Sequence, residues 1–388
     1  MNLSNVPIDK TDINQSLLDI SDKSRTSNFS WKGQFSPEFI EAILEKYTDN
    51  NSVLYDPFLG SGTVVSESLN RDLEVCGIEL NPAAYHMAKF YELGNCSTRY
   101  RNELINYYDK RLNNIMTEKD FTEFIDFCKH PNLETTYNNI AKLLLILSDL
   151  NKNELNITIL SNKWGKLKEL IKRLPYSKKK IDVLLGDSRR TKFKSNYATI
   201  VLTSPPYINV FNYHQNYRKS IEFLGYDVLN IAKSEFGSNR KHRGNRFYTV
   251  IQYSIDMALS ILESLRISKM DARLIFIVGI ESTVLGHKFC NSQIIFDIFN
   301  SIFNCPLLLR QQRVFKNRYG IIIKEDILHF AKKVDVTLSK EEIVTMARKI
   351  GVQELKKALS DNDPKRDLIM DAIEKSNNIN ESELNNHG

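Results

Sequence analysis

The stretch of this chain that most constrains its fold runs from residue 52 to residue 79. Residues 52–55 form a short apolar run that predicts a buried strand, and residues 74–78 form a second one. Between them, the sequence DPFLGSGT predicts a turn that leads into a helix over residues 64–69. A strand, turn, helix and strand in so few residues predict an α/β fold with parallel strands.

The turn in this stretch has the composition of a ligand-binding loop. Gly60 and Gly62 let the backbone approach a ligand, and the start of the following helix supplies amide donors. Glu79 follows Gly60 by 19 residues, the spacing at which a doubly wound nucleotide-binding fold places an acid on ribose hydroxyls. The alternative is a generic strand, turn and helix with a solvent-facing Glu79, and the combined pattern favours the nucleotide-like ligand.

A second motif, TSPPY at residues 203–207, follows the apolar run 199–202, which predicts another buried strand. Its two prolines fix φ and carry no N–H, so the carbonyls of Ser204 and Pro205 can face a cleft. With the Ser204 hydroxyl they could accept the hydrogens of an exocyclic amino group on a nucleobase, while Tyr207 stacks on the base. A base inside a duplex cannot reach such a pocket, so this chemistry implies base flipping. Taken alone, the motif could equally be a strand-to-turn boundary.

The composition excludes several classes of protein. A hydrophobic fraction of 42% in 388 residues supports a globular core. The five cysteines are widely spaced without a CxxC pair, and the seven histidines lack HxxxH or HExxH spacing, so we predict no disulfide framework, no metal and a reducing compartment. Without a long apolar run or an apolar N-terminal signal core, we expect a cytoplasmic protein with no membrane partner.

Charge and periodicity divide the chain into four expected parts. Residues 1–28 are polar and are expected to form a loosely ordered arm; residues 29–96 and 181–334 form the catalytic domain. Residues 97–180 form a basic helical insertion with 16 Lys and Arg against 10 Asp and Glu, which favours a polyanionic partner. Its run of lysines at 178–180 could contact phosphate or be a solvated face. Residues 335–388 form an acidic helical tail, in which a capping box at Ser339 opens a helix expected to stop at Gly351.

Two segments after TSPPY have compositions typical of nucleic-acid contact. The first mixes polar and aromatic side chains that can stack on bases and hydrogen-bond their edges, and the second, at 237–246, has four basic residues and no acid. The alternatives are a helix-capping loop and an ordinary surface loop. The predicted DNA-binding residues are Asn212, Tyr213, His214, Tyr217 and Arg218 in the first segment and Arg240, Lys241, Arg243 and Arg246 in the second.

Together, DPFLGSGT and TSPPY resemble the motifs of the S-adenosylmethionine-dependent amino-methyltransferases that modify exocyclic amines of DNA bases. The resemblance covers residues 30–96 and 181–332, with the cofactor loop first. It implies a Rossmann-like methyltransferase fold, α/β, with a mainly parallel seven-stranded sheet, an antiparallel C-terminal hairpin and a helical insertion. SPPY is typical of the N4-cytosine enzymes, whereas an aspartate at the first position is commoner in N6-adenine enzymes.

The resemblance therefore implies methyl transfer from S-adenosylmethionine to cytosine N4 in double-stranded DNA, within a restriction-modification or defence system that could include a cognate endonuclease. An N6-adenine DNA enzyme, an RNA amino-methyltransferase and an inactive DNA-binding subunit are the alternatives. One departure is Tyr197-Ala198, where the family often has an acid before the fourth strand.

The resemblance also assigns residues. The implied catalytic residues are Ser204, Pro205, Pro206 and Tyr207. Asp187 belongs to an element whose acid meets the adenine amine in the family, and the match at Phe35 and Pro37 is looser. The implied cofactor-binding residues are Phe35, Pro37, Asp56, Pro57, Phe58, Gly60, Ser61, Gly62, Thr63, Glu79, Leu80, Asn81, Asp187, Ser188 and Thr203.

Overall fold

A computed structural model of the chain describes residues 2–20, 24–208, 212–237, 242, 244–316 and 320–385. Within these ranges the strands are β1 (Val53–Asp56), β2 (Glu74–Glu79), β3 (Ile181–Leu185), β4 (Ala198–Thr203), β5 (Ser268–Gly279), β6 (Glu281–Val284), β7 (His287–Cys290), β8 (Leu307–Lys316) and β9 (Ile322–Ala331). The helices are α1 (Gln15–Asp19), α2 (Pro37–Tyr47), α3 (Thr63–Asn70), α4 (Pro82–Lys89), α5 (Thr98–Asn113), α6 (Glu118–Lys129), α7 (Thr135–Ser148), α8 (Ile157–Arg173), α9 (Arg218–Phe223), α10 (Val228–Ser234), α11 (Tyr248–Ile267), α12 (Asn291–Asp297), α13 (Lys340–Lys357) and α14 (Arg366–Glu374).

Seven strands form one sheet in the order β3-β2-β1-β4-β5-β9-β8. The five strands from β3 to β5 are parallel, and β9 and β8 are antiparallel to their neighbours. This is the Rossmann-like methyltransferase fold, and the predicted parallel sheet with its antiparallel C-terminal hairpin is confirmed. The small β6–β7 hairpin was not predicted. Because β1 lies beside both β2 and β4, the chain reverses its direction of progress along the sheet there, which is where such folds bind ligands.

Hydrophobic residues cover both faces of the sheet. Successive strand residues point to opposite faces, so Leu54 and Ile200 pack with α2 to α8, whereas Tyr55 and Val201 pack with α11 to α14. A sheet buried on both faces explains why its strands read as continuous apolar runs in the sequence.

The N-terminal arm is packed, so the expectation of loose order is wrong for its described residues. Leu3 and Leu18 are buried. The amide of Asp9 donates to the Arg310 carbonyl at 2.8 Å, and Asp19 Oδ1 accepts from the Val314 amide at 2.7 Å. Since β8 is an edge strand, the arm satisfies backbone groups that the sheet leaves free.

The helical insertion packs on the catalytic domain through α4. His86 Nδ1 lies 2.6 Å from Asn139 Oδ1 of α7, and His86 Nε2 lies 2.9 Å from the Tyr226 hydroxyl. Burial lowers the pKa of His86 to about 3, so the ring is neutral in this junction. In the lysine run, Lys179 Nζ donates to the Asn50 carbonyl and Lys180 pairs with Asp182, so two of the three lysines have protein partners.

The predicted capping box of the tail is confirmed, but the predicted helix end is wrong. Ser339 Oγ accepts from the Glu342 amide and Glu342 Oε2 from the Ser339 amide. Helix α13 continues through Gly351 to Lys357. A Cβ at Gly351 would lie 2.7 Å from the Ile251 Cα, so this glycine permits close contact between α13 and α11. None of the helices in the described ranges is long and apolar enough to cross a membrane.

Candidate active site

The two motif loops meet at one edge of the sheet. Strands β1 and β4 are parallel neighbours, so their carboxyl ends lie side by side. Asp56 Oδ1 accepts a hydrogen bond from Thr203 Oγ1 at 2.6 Å and one from the Phe58 amide at 3.0 Å. Both loops line one cavity of about 1110 Å³. A single carboxylate therefore joins the first residues of the two motifs.

Glu79 faces the glycine-rich loop and not the solvent. Its Oε2 accepts from the Gly60 amide at 2.7 Å, and its Oε1 accepts from the Asn81 amide at 2.8 Å. Gly60 and Gly62 both have positive φ (52° and 83°), and a Cβ at Gly62 would lie 2.8 Å from the Ala88 Cα. The loop conformation therefore depends on both glycines and on one half-buried acid.

Burial raises the pKa of Asp56 and that of Glu79 to about 7 each. Hydrogen bonds from Thr203 and from nearby amides oppose this rise without cancelling it. Two carboxyls that titrate near neutrality at one cavity are typical of a functional site.

The segment at residues 31–36 closes the cofactor side, and most of it was missed in the sequence. Gln34 Oε1 accepts from Ser61 Oγ at 2.9 Å and from the Trp31 amide at 3.1 Å. The Trp31 ring lies against Gly60, where an added Cβ would be 3.2 Å from Trp31 Cδ1. Phe35 lines the cavity as predicted, whereas Pro37 is buried at the first position of α2.

The TSPPY loop is held by side chains from distant parts of the chain. The Tyr207 hydroxyl donates to Glu325 Oε1 at 2.9 Å, and burial raises the pKa of Tyr207, which keeps this hydroxyl protonated. The Tyr207 ring lies on Gly279, where a Cβ would be only 2.8 Å from Tyr207 Cε2. The Pro206 carbonyl accepts from the Tyr253 hydroxyl at 3.0 Å.

The β8–β9 hairpin forms the wall opposite this loop. Glu325 Oε2 accepts from Arg313 Nε at 2.6 Å. The Arg313 guanidinium lies over the rings of Phe39 and Phe315, 4.1 and 4.5 Å from their centroids. These residues carry no recognisable motif. Only the topology could have indicated them. Strand β9 is antiparallel to β5, so its first residues, including Glu325, lie at the edge of the sheet where the parallel strands end.

The aromatic segment after TSPPY packs on the cofactor side. The rings of Tyr213 and Tyr217 stack on Trp31, each with a centroid distance of 6.5 Å. His214 is buried and its Nδ1 lies 2.7 Å from Glu235 Oε2. Arg218 pairs with Glu222 and stays partly exposed.

The second predicted DNA-binding segment is described only in part. Arg240, Lys241 and Arg243 lie outside the described residues. Arg246 lies just before α11 and is not among the residues that line the cavity. DNA contact by both segments stays a prediction.

Most of the residues implied by the resemblance line the cavity. Those that lie behind its surface are Pro37, Gly62, Thr203 and Pro205. Those that line it are Phe35, Asp56, Pro57, Phe58, Gly60, Ser61, Thr63, Glu79, Leu80, Asn81, Asp187, Ser188, Ser204, Pro206 and Tyr207. Of the residues predicted from composition to bind DNA, Asn212, Tyr213 and His214 also line it.

Two of the lining residues already have strong protein partners. Asp187 forms a bidentate ion pair with Arg189, with distances of 2.9 and 2.5 Å. Asn81 caps α4 by accepting from the Ala83 amide and donates to the Tyr213 carbonyl. The implied contact between Asp187 and an adenine amine stays a prediction.

Within the described ranges, no three His, Cys, Asp or Glu side chains are grouped so that they could hold a metal ion.

Part of the chain is similar to known DNA methyltransferases. Residues 9–90 match the family model of the N6/N4 DNA methylases. Type II methyltransferase M.MjaII from Methanocaldococcus jannaschii is 30% identical over 67 residues, which are 16% of this chain and 13% of that protein. Type II methyltransferase M.MvaI from Kocuria varians is 43% identical over 56 residues, 14% of this chain and 12% of that protein. The chain thus matches about an eighth of the length of these relatives.

Solved structures give weaker likenesses. A SAM-dependent methyltransferase from Methanosarcina mazei has 9% identity and a TM-score of 0.36, covering 75% of this chain and 97% of its own. The rRNA methyltransferase aviRa from Streptomyces viridochromogenes has 11% identity and a TM-score of 0.32, covering 84% and 94%. Both scores are below 0.5, so the fold rests on the strand order described above.

The family match includes the glycine-rich loop and Glu79, and it supports S-adenosylmethionine as the cofactor of this site. The residues present fit that group. The Glu79 carboxylate can accept from ribose hydroxyls, and the Asp56 carboxylate suits a cationic methionine moiety. Trp31, Phe35 and Phe58 supply ring surface in the same cavity.

Proposed function

We propose that this chain methylates an exocyclic amino group of a base in double-stranded DNA, with cytosine N4 as the preferred acceptor. The observation that carries the proposal is the hydrogen bond between Asp56 and Thr203, which joins the cofactor loop to the TSPPY loop within one cavity. The match of residues 9–90 to the DNA methylases supports DNA as the substrate. The two Type II methyltransferases support the same class of substrate.

At the cofactor end, the side chains of this chain bind S-adenosylmethionine and orient it. Bound S-adenosylmethionine supplies a methyl group activated by a sulfonium. Glu79 accepts from the ribose hydroxyls while its hydrogen bonds to the amides of Gly60 and Asn81 hold it in place. Asp56 is fixed by Thr203 and the Phe58 amide, so its charge is placed before the ligand arrives.

At the substrate end, Ser204 and Pro206, which line the cavity, hold the acceptor base. The cavity of about 1110 Å³ exceeds the range of about 300–1,000 Å³ that is usual for one small ligand. This size supports a site shared by the cofactor and an extruded base. Carbonyl and hydroxyl acceptors of the loop would bind the amino hydrogens and turn the nitrogen lone pair toward the methyl group. The nitrogen would attack in line without a covalent enzyme intermediate: the N–C bond would form as the C–S bond breaks, the sulfur would leave as a neutral thioether, and one amino proton would pass through a loop acceptor to water.

The choice of base rests on one side chain. Ser204 stands where the adenine-directed enzymes more often carry an aspartate, and this favours cytosine N4. Methylation of adenine N6 is the second candidate, because the rest of the site serves both amines. An RNA acceptor and an inactive DNA-binding subunit are further alternatives, and the alignment of both loops in one cavity disfavours the inactive subunit.

The surfaces proposed to bind DNA are the basic insertion and the residues that follow the TSPPY loop. The insertion carries a net charge of +6 over residues 97–180, which suits the phosphate backbone. A role in restriction-modification or defence, with a cognate endonuclease and a cytoplasmic location, completes the proposal.

The test is nucleoside analysis after incubation with methyl-labelled cofactor. Purified protein is given unmethylated double-stranded DNA or RNA, and the digested nucleosides are identified by mass spectrometry. We expect label in N4-methylcytosine from DNA. Label in N6-methyladenine would overturn the choice of base, and label in RNA alone would overturn the choice of nucleic acid.

The matched control is Asp56→Asn, which keeps the volume of the side chain but removes its charge. We expect this variant to lose label in every product. If the unaltered protein binds the cofactor and yet labels neither nucleic acid, the enzymatic proposal is wrong and the DNA-binding subunit is favoured.

A further inference from the structure

The C-terminal segment 379–385 folds back onto the cofactor cavity. Ser382 and Asn385 are buried, at 3% and 7% exposure. They lie beside the loop that follows β3, and Gly186, Asp187 and Ser188 of this loop line the cavity. A segment at the far end of the acidic tail thus reaches the wall of the site.

Arg189 joins the segment to that loop, and each of its side-chain N–H groups has an acceptor. Its Nε and Nη2 donate to the two oxygens of Asp187 at 2.9 and 2.5 Å. Its Nη1 donates to Asp256 Oδ1 at 2.6 Å and to Ser382 Oγ and the Ser382 carbonyl at 2.8 and 2.9 Å. Its Nη2 also donates to the Glu383 carbonyl at 2.9 Å. The tail therefore supplies three of the acceptors of this guanidinium.

The other side of the segment is attached to the helices behind the sheet. The Ser382 amide donates to Asp256 Oδ1 at 2.9 Å, and Gln252 Nε2 donates to the Asn380 carbonyl at 3.1 Å, so both contacts reach α11. Arg348 Nη2 of α13 donates to the Ile379 carbonyl at 3.0 Å. The segment thus connects the rigid helices α11 and α13 to the loop after β3.

The buried charges around Arg189 depend on the hydrogen bonds from the C-terminal segment. The side chains of Arg189, Asp187 and Asp256 are at most 2% exposed, so one cation faces two carboxylates away from water. A buried guanidinium that lost its tail acceptors would have to reorient or draw in water, because unpaired buried N–H groups are costly. Either response would move Asp187, whose two oxygens are both held by Arg189.

We infer that segment 379–385 is a latch that sets the position of the wall Gly186, Asp187 and Ser188 through Arg189, and that cofactor affinity depends on it. Arg189 and Ser382 are positioning residues in this scheme, since they act on the ligand through cavity-lining residues: Asp187 and, for Arg189, also the Phe236 ring, whose centroid lies 5.2 Å from the guanidinium. The inference rests on the proposed use of S-adenosylmethionine. The segment also contacts α10, where Ser382 Oγ donates to the Ser234 carbonyl at 3.3 Å and Lys233 pairs with Glu383. The cavity-lining residue that its hydrogen bonds reach is Asp187, to which the Asn385 amide donates, so the latch acts on the cofactor and not on the acceptor base.

The test uses variants of the full chain that alter the contact between Arg189 and Ser382, one on each side of it. Arg189→Lys keeps the charge but cannot span both oxygens of Asp187, and Ser382→Pro removes both the hydroxyl and the amide that hold the segment. Calorimetry with S-adenosylmethionine measures the affinity, and steady-state kinetics on DNA separate KM from kcat. Glu374→Gln is the matched control, because it removes one acidic charge from an exposed position of α14, outside segment 379–385.

We expect each variant to weaken cofactor binding by about tenfold, and the double variant to lose little more, because both changes open one joint. The KM for the cofactor rises, kcat at saturating cofactor stays within about twofold, and Glu374→Gln binds the cofactor as the unaltered chain does. Unchanged affinity, additive losses or an equal fall in kcat would overturn the latch. If the unaltered chain binds no cofactor, the proposed function fails, and the latch fails with it.

Discussion

The two halves of the cavity are built in different ways. The cofactor half comes mainly from residues 31–81, with the loop after β3 added, and acidic side chains hold its glycine-rich loop by accepting backbone amides, as Glu79 does from Gly60 and Asn81. The substrate half combines Tyr207, Gly279 and Glu325, which are far apart in sequence and meet through side chains.

This difference shows which half tolerates change. Backbone hydrogen bonds to a fixed acid restrict the cofactor loop to one conformation, so that half can serve one ligand with little variation. The substrate half can be altered by substitutions in the hairpin without disturbing the sheet. We therefore expect changes in the first half to abolish cofactor binding, and changes in the second to alter DNA methylation while cofactor binding persists.

The largest effect is expected for Asp56→Ala. The substitution removes the acceptor of both Thr203 Oγ1 and the Phe58 amide, and each buried donor left without a partner costs about 1–3 kcal/mol. Cofactor affinity should fall at least about 100-fold by calorimetry. Thr203→Val is the matched control, because it removes only the link between the halves; a loss as large as that of Asp56→Ala would contradict the placement of Asp56 on the cofactor.

The second effect is expected for Tyr207→Ala, in the other half. Stacking of an aromatic ring on a base is worth about 1–3 kcal/mol, so kcat/KM for DNA should fall roughly 5- to 150-fold. Tyr207→Phe keeps the ring and loses only the hydrogen bond to Glu325, so its loss should be smaller. Cofactor affinity should be unchanged in both variants, and a parallel loss of cofactor binding would show that the halves are not separable.

The sheet and the cofactor loop were predictable because their signals are local. Apolar runs marked strands β1, β2 and β4, and the spacing from Gly60 to Glu79 marked the ligand loop. The packing of the N-terminal arm on β8 was not predicted, because the arm is anchored by isolated buried residues such as Leu3 and Leu18. Isolated apolar residues form no periodic pattern in the sequence. Gly351 was predicted to end a helix, because glycine is common at helix ends. Glycine also occurs where two helices pack closely, and this second role is the one that Gly351 has.

The substrate half was less predictable for a related reason. Tyr213 and Tyr217 have the composition of a base-stacking surface, but their rings stack on Trp31. An aromatic side chain in a loop carries no information on whether its partner is a base or another ring of the chain. Glu325 and Arg313 become recognisable only when the hairpin is placed on the edge of the sheet.

A third, smaller effect is expected for Gly279→Ala. The new Cβ would lie 2.8 Å from the Tyr207 ring, which must shift from its place beside Glu325. We expect kcat/KM for DNA to fall about tenfold, with cofactor affinity retained. Gly165→Ala in α8 is the control, because nothing lies within 4 Å of its Cβ, and it should leave methylation unchanged. Equal activity of the two variants would remove Gly279 from the site.

The smallest effect is the pH dependence of the cofactor half. Burial raises the pKa of Glu79 and that of Asp56 to about 7, and only the ionised forms offer all their acceptor positions to the cofactor. Affinity for S-adenosylmethionine should therefore rise several-fold between about pH 6 and pH 8, with proton release on binding near neutrality, measured by calorimetry in buffers of different ionisation enthalpy.

The stability of the cofactor-free protein should change in the opposite direction. Between about pH 4.5 and 7 the folded state binds more protons than the unfolded chain, so this contribution is present at low pH and is lost as pH rises through 7. Glu79→Gln should flatten both profiles, whereas a profile unchanged in this variant would assign the titration to Asp56 alone.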